Sequence, residues 1–357
     1  MTVHISPFTT TPGIAGKAYI NTGIADEIIA NFDSPYSTQF VYKILGLRGS
    51  GKSVEYKKVL DHFSSEEGWK VYSLPAGGSP METLISALSR EMGEAAYLKK
   101  KETSTHRELN GGIEFVNGSV SSSETSKTER NPAYYDKTDE LRYMCEAVTR
   151  SGNTILVGID DIAATASMIE FLSVIGSFLL NQNINLRMIA TGLEKNIEEF
   201  TNVPHLSFFA RPKALIASPL NLHEISYMYG KLLNVSEEEA ERLAGITGGY
   251  AWGYQLLGDE FFTKKESDSM ETVLNSFDHR MAPTYDLLWN SLTAAEKEFV
   301  KTVLMSETGS RAELEPKIKG YSQHRENLKK KHILDTSETG SVRVTLPRFR
   351  EYVEKVL

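Results

Sequence analysis

The octapeptide Gly46-Leu47-Arg48-Gly49-Ser50-Gly51-Lys52-Ser53 constrains this chain more than any other stretch. Its spacing, G-x-x-x-x-G-K-[ST], builds a loop whose backbone N–H groups converge on phosphate. Such a loop needs a strand before it and a helix after it. Phe40-Val41-Tyr42-Lys43-Ile44-Leu45 is rich in β-branched and aromatic residues and predicts the strand. Val54, Tyr56, Val59, Leu60 and Phe63 recur at close to helical spacing and predict the helix. The helix N-terminus adds the positive end of its dipole to the same point. The expected nucleotide contacts are Gly46, Gly49, Ser50, Gly51, Lys52, Ser53 and Val54. Lys52 would reach the β- and γ-phosphates, and the Ser53 hydroxyl would bind Mg²⁺. A Gly/Ser loop that contains a lysine by chance would leave both flanks unexplained.

Thr154-Ile155-Leu156-Val157-Gly158-Ile159-Asp160-Asp161 is a continuous apolar run that ends in acid. Such a run predicts a strand buried on both faces of a parallel sheet. The carboxyl end of such a strand is where open α/β sheets bind ligands. Asp160 is the candidate for the Mg²⁺ shell, and Asp161 for polarising an attacking water. The alternative is that both merely cap the next helix. Leu186–Gly192 predicts another strand, with the Thr191 hydroxyl near the γ-phosphate, or else an ordinary polar turn residue there. Trp69–Leu74 and Lys213–Ala217 predict two more strands. Helical spacing recurs after Ser79-Pro80, over Tyr134–Arg150 and over Met168–Leu180. The sum is an α/β fold: a P-loop NTPase parallel sheet with helices on both faces.

Residues 1–38 form a lead-in: loop chemistry over Pro7–Gly13, then a short amphipathic helix over Thr22–Phe32. Ile14, with Ala15 and Gly16, is the candidate adenine contact. The nucleotide domain spans 39–220, interrupted at about 99–131 by a polar, charged insertion. That insertion holds an Asn117-Gly118 hairpin signal. It reads as a mobile surface segment, or as a contact loop for a partner or neighbouring subunit. A helical lid domain follows over 221–290, with helices at His223–Leu233, after the Ser236–Glu239 capping box, at Ala251–Phe262 and at Met270–Ala282.

Residues 291–357 have their own logic. Thr293–Glu296 and Ser310–Glu313 read as capping boxes opening two helices. A third helix begins near Tyr321, and Ile333–Asp335 with Val342–Leu346 predict a hairpin. Three helices and a hairpin make a winged helix-turn-helix. Gln323, Arg325 and Asn327 are candidates to read bases, and Lys329, Lys330, Lys331 and Arg343 to neutralise phosphates of double-stranded DNA. The other reading is a winged helix used for protein contacts, its lysines a solvated face.

Charge bears on that choice. The net charge of −8 argues against a chain that coats nucleic acid. Residues 290–357, however, hold 13 Lys and Arg against 10 Asp and Glu, a net of +3. Cys145 is the only cysteine, so no intrachain disulfide or cysteine zinc site is expected. No basic-then-apolar leader and no membrane-length apolar run is found, so the expected setting is the cytoplasm.

Taken together, these features resemble the AAA+ ATPases of the initiator-like branch, related to archaeal and eukaryotic origin-recognition ATPases. More closely, the chain resembles a group of bacterial and archaeal ATP-binding proteins of poorly defined role. Pro7-Phe8-Thr9 and Leu346-Pro347-Arg348-Phe349-Arg350-Glu351-Tyr352 carry that second likeness, which covers nearly the whole chain. The resemblance implies ATP and Mg²⁺ as ligands, with Lys52 and Ser53 as the nucleotide lysine and magnesium hydroxyl. It implies Asp160 as the magnesium acid and Thr191 as the sensor-one residue. It places Arg211 where such proteins carry an arginine finger acting on a neighbour's ATP, which implies a homo-oligomer. The plain alternative for Arg211 is an ion-paired loop arginine. Two departures stand out. Asp161 replaces the usual glutamate, as in signal-transduction switch ATPases. Gly249–Tyr254 offers no arginine where a sensor-two residue is expected. Both imply slow hydrolysis and an ATP-state switch, coupled either to DNA or to a protein partner.

Overall fold

The computed structural model describes residues 5–92, 136–336 and 338–356. The insertion at 99–131 and its hairpin signal lie outside the described residues. Strand β1 (Val41–Leu45) is buried along its whole length and sits inside a five-stranded parallel sheet. Its companions are β2 (Trp69–Leu74), β3 (Thr154–Ile159), β4 (Leu186–Gly192) and β5 (Ala214–Ile216), in the order β2-β3-β4-β1-β5. Leu45 at the end of β1 is opposite Gly192 on one side and Ile216 on the other. The phosphate loop therefore leaves the sheet between the ends of β4 and β5.

Strand alternation decides what each face receives. Tyr42 and Ile44 pack with Ile28 and Phe32 of α1 (Ile24–Asp33) and with Val59 and Phe63 of α2 (Lys52–Ser65). Val41 and Leu45 point the other way. That face is covered by α3 (Pro80–Met92), α4 (Lys137–Arg150), α5 (Ala166–Leu179), α6 (Glu194–Thr201) and α7 (Ser207–Ala210). All five predicted strands and the two-sided cover are present.

The second half is helical: α8 (Leu222–Leu233), α9 (Glu237–Thr247), α10 (Ala251–Thr263) and α11 (Met270–Asn290). It continues with α12 (Ala294–Met305), α13 (Arg311–Leu314), α14 (Tyr321–Lys330), the antiparallel pair β6 (Leu334–Asp335) and β7 (Arg343–Val344), and α15 (Phe349–Val356). One continuous core joins these helices. Tyr285 meets Phe349 at 4.9 Å and Tyr352 at 5.3 Å, both edge-on. Among the described residues no helix is long and apolar enough to cross a membrane.

Three sequence expectations need correction. The helix expected to stop at Ala282 runs through Pro283 to Asn290. A proline inside a helix costs about 3 kcal/mol, but here Tyr285, Leu288 and Trp289 beyond it are buried and hold the last turns. Only Thr293–Glu296 is a reciprocal capping box. Ser310 and Ser236 accept the N3 amide, but Glu313 turns instead to Ser306 and Thr308, and Glu239 to Arg242. The Phe349–Val356 stretch, to which the sequence analysis assigned no element, is a helix.

Candidate functional site

The loop's geometry follows from its glycines. Gly49 has φ +78°, and a Cβ there would lie 2.2 Å from the Tyr250 hydroxyl oxygen. A Cβ at Gly46 would lie 2.7 Å from Ser50 Oγ. The Lys52 ammonium turns into its own loop and donates to the carbonyls of Gly46, at 3.0 Å, and Leu47, at 2.8 Å. Burial pulls its pKa down to about 8, against the opposing pull of Asp161 and Asp160.

Asp160, just past the end of β3, gathers the hydroxyls of the two neighbouring segments. Ser53 Oγ donates to its Oδ1 at 3.1 Å, and Thr191 Oγ1 donates to the same oxygen at 2.5 Å. Thr191 also accepts the backbone N–H of Asp161 at 2.9 Å. Asp161 has φ +57°, a conformation that Asp tolerates better than most residues. Its carboxylate reaches the rim of the site, 3.6 Å from the Arg48 guanidinium. Loop, acid pair and Thr191 thus meet around one cavity of about 480 Å³. Ile14, Ser50 and Val54 line it too, and Gly46 hydrogen-bonds Lys52 just beneath.

One hydroxyl, one carboxylate and the phosphates of a nucleotide are the ligand set in which Mg²⁺ is usually held. Ser53 Oγ and Asp160 Oδ1 fit that set.

Other residues at the site escaped the sequence reading. Tyr250 donates its hydroxyl to the Arg48 carbonyl at 2.6 Å, and the N–H of Trp252 donates to the Gly49 carbonyl at 3.0 Å. The Gly249–Tyr254 segment, which carries no arginine, therefore holds the loop with neutral groups. Thr9 N donates to Gln255 Oε1 and Gln255 Nε2 to the Ala18 carbonyl, so the lead-in is sewn to α10. Glu55, almost fully buried in α2, accepts from the Tyr19 hydroxyl and from Ala25 N–H. The only available signal for Glu55 was an acid inside the apolar stripe Tyr56-Val59-Leu60-Phe63.

Arg211 lies at the entrance to β5, the opposite end of the sheet from the phosphate loop, and does not line the cavity. It is exposed, and among the described residues no ion pair holds its side chain. The α14 candidates fall into two groups. Gln323, Asn327 and Lys329 are exposed. Lys330 pairs with Glu198 at 2.7 Å and Lys331 with Glu296 at 2.8 Å, while His332 lies 3.2 Å from Glu194. Arg325 pairs with Glu326, and Arg343 with Glu338. Glu194 and Glu198 belong to α6, directly after Thr191, so the end of α14 docks beside the candidate site.

No family model and no curated protein matches the chain. Solved structures do. A Walker-type ATPase of Pyrococcus abyssi is similar with a TM-score of 0.64 at 12% identity, over 97% of this chain and 99% of that one. The ORC2 protein of Aeropyrum pernix, in a structure of its ADPNP–ADP complexes, gives 0.56 at 13% identity over 100% and 96%. At 12% and 13% identity these likenesses show the fold, which this chain shares with both proteins: an α/β P-loop domain continued by a helical half.

Proposed function

We propose that this protein is a slow, Mg²⁺-dependent ATPase that acts as a switch, its nucleotide domain reporting to a helical lid and a C-terminal winged-helix module. The observation that carries the reading is the convergence of Ser53 and Thr191 on one oxygen of Asp160 beneath a glycine loop that holds Lys52. The Aeropyrum pernix neighbour in its ADPNP–ADP complexes supports the nucleotide assignment.

In this reading Lys52 exchanges its two loop carbonyls for phosphate oxygens, which restores its charge. Mg²⁺ held by Ser53 and Asp160 would neutralise charge between the β- and γ-phosphates. Asp161 orients the water that attacks the γ-phosphorus, and ADP and phosphate leave. Its carboxylate is one methylene shorter than glutamate and half-turned to Arg48, so the water is poorly held and turnover is slow. Thr191 couples the two acids, accepting from the N–H of one while donating to the carboxylate of the other. ATP then matters mainly as a state: the loop it occupies is the one that Tyr250 and Trp252 grip. A cytoplasmic setting fits the single, fully buried Cys145.

The output we assign to the module is duplex DNA binding, with Gln323, Asn327 and Lys329 presented on the open face of α14. A second reading has a specific observation behind it. Lys330, Lys331 and His332 face Glu198, Glu296 and Glu194 inside the chain, as a module used for protein contacts would allow. A salt series of duplex binding with and without ATP separates the two. DNA binding predicts log K falling steeply with log[salt], and a shallower slope for Lys329→Ala. No binding at low salt in either nucleotide state leaves the protein-contact reading.

A further inference from the structure

Arg48, the third residue of the phosphate loop, is tied to two different parts of the molecule. Its guanidinium lies 3.6 Å from the Asp161 carboxylate, and its backbone carbonyl accepts the Tyr250 hydroxyl at 2.6 Å. The side chain thus faces the acid pair at the end of β3, while the main chain is held by the helical half. Both Arg48 and Asp161 line the cavity, and their side chains are 54% and 57% exposed. An ion pair this open to water is weak. At 3.6 Å it is also longer than a hydrogen bond, so the planar fork of the guanidinium is not engaged.

A second cation points the same way. Lys52 donates to the carbonyls of Gly46 and Leu47. Burial is the main reason its pKa is low, and the nearby Arg48 adds to the lowering. Two cations that close together at one end of a cavity attract an anion of higher charge than a single carboxylate. A terminal phosphate is such an anion, and it offers the guanidinium paired oxygens where Asp161 offers one distant contact.

We propose that Arg48 reads the terminal phosphate from within its own loop: it leaves Asp161 for the γ-phosphate of bound ATP, frees that carboxylate for the attacking water, and passes the change through its carbonyl to Tyr250. ADP has no γ-phosphate, so with ADP the Arg48–Asp161 pair stays closed. The proposal rests on the ATPase reading above and goes beyond it in naming the side chain that tells ATP from ADP. One residue then serves both ends of the switch, since its side chain meets the acid at the reacting phosphate and its main chain meets the lid.

The test is made on the full chain with Mg²⁺ and either ADP or a non-hydrolysable analogue of ATP. Calorimetry gives the two affinities, and amide exchange over Tyr250–Tyr254 gives the state of the lid. The wild type should bind the ATP analogue at least about tenfold more tightly than ADP, as a charge-assisted hydrogen bond to one more phosphate allows. Arg48→Ala should lose most of that preference while its ADP affinity stays within about twofold of wild type. Arg48→Lys, which keeps the charge without the fork, should recover part of it. Exchange over Tyr250–Tyr254 should differ between the two nucleotides in the wild type and be the same in Arg48→Ala. If Arg48→Ala does not fold, Arg48→Gln is read in its place, as it keeps a polar side chain without the charge. Equal binding of the two nucleotides by the wild type, a wild-type preference in Arg48→Ala, equal losses for both nucleotides, or an exchange difference that survives the substitution would overturn the proposal and leave the ATPase reading standing. A wild-type protein that binds neither nucleotide removes that reading itself.

Discussion

Thr191 and Asp160 are joined by a 2.5 Å hydrogen bond in which the threonine hydroxyl donates to the same carboxylate oxygen that Ser53 reaches at 3.1 Å. The same Thr191 oxygen accepts the Asp161 N–H. Thr191→Val keeps the shape and deletes both bonds. Leaving these groups without the partner should cost about 1–3 kcal/mol of stability. ATP turnover should fall about tenfold or more with ATP affinity little changed, since the hydroxyl orders the acids and leaves the loop intact. Urea melts and steady-state turnover of Thr191→Val check both; a variant with wild-type kcat would contradict the role.

Tyr250 and Gly49 make the second contact that the account needs. Tyr250→Phe removes one hydrogen bond to the loop and should cost about 1 kcal/mol. Gly49→Ala is worse, since its Cβ would lie 2.2 Å from the Tyr250 oxygen in a left-handed backbone conformation. It should free the lid from the loop, read as faster amide exchange over Tyr250–Tyr254 and as weakened ATP binding. Unchanged exchange would mean that the grip does not hold the lid.

How much of this was legible in the sequence depends on range. The five strands, the loop and Asp160 with Thr191 were readable because short-range patterns fix them: apolar runs, glycine spacing and acids at strand ends. Ser53 and Asp160 were expected to share Mg²⁺ and Thr191 to lie near the γ-phosphate, whereas the meeting of both hydroxyls on one Asp160 oxygen is visible only in the structure. Tyr250 and Glu55 were not readable, because what makes each matter lies far away in the chain: Arg48 and Tyr19. Helix α11 passed Pro283 for the same reason, as its last turns are held by α15. Lys330 and Lys331 carry the charge expected of DNA contacts, but their acidic partners lie in α6 and α12.

Stability should depend on pH in a defined window. Burial holds Lys43 and Lys52 at about 8, against about 10.4 in an unfolded chain. Between these values the unfolded state binds more protons, so both lysines oppose folding below pH 8 and progressively less as the pH rises. Cys145, pushed up to about 12 by burial, acts in the opposite sense once an unfolded thiol begins to ionise. The difference between proteins is therefore the readout. From pH 8 to 10, wild-type stability should rise more steeply than that of Lys43→Met, by up to about 1.4 kcal/mol per pH unit. Parallel curves would mean that Lys43 titrates normally.

The central claim is that Gly46–Ser53 binds a nucleoside triphosphate through Lys52. Calorimetric titration with Mg-ATP measures this directly, on the wild-type protein and on Lys52→Ala. Saturable one-site binding is expected of the wild type, and affinity at least about tenfold weaker of the variant, about 1.4 kcal/mol or more. Equal affinity in the two proteins, or no binding by the wild type, would contradict it.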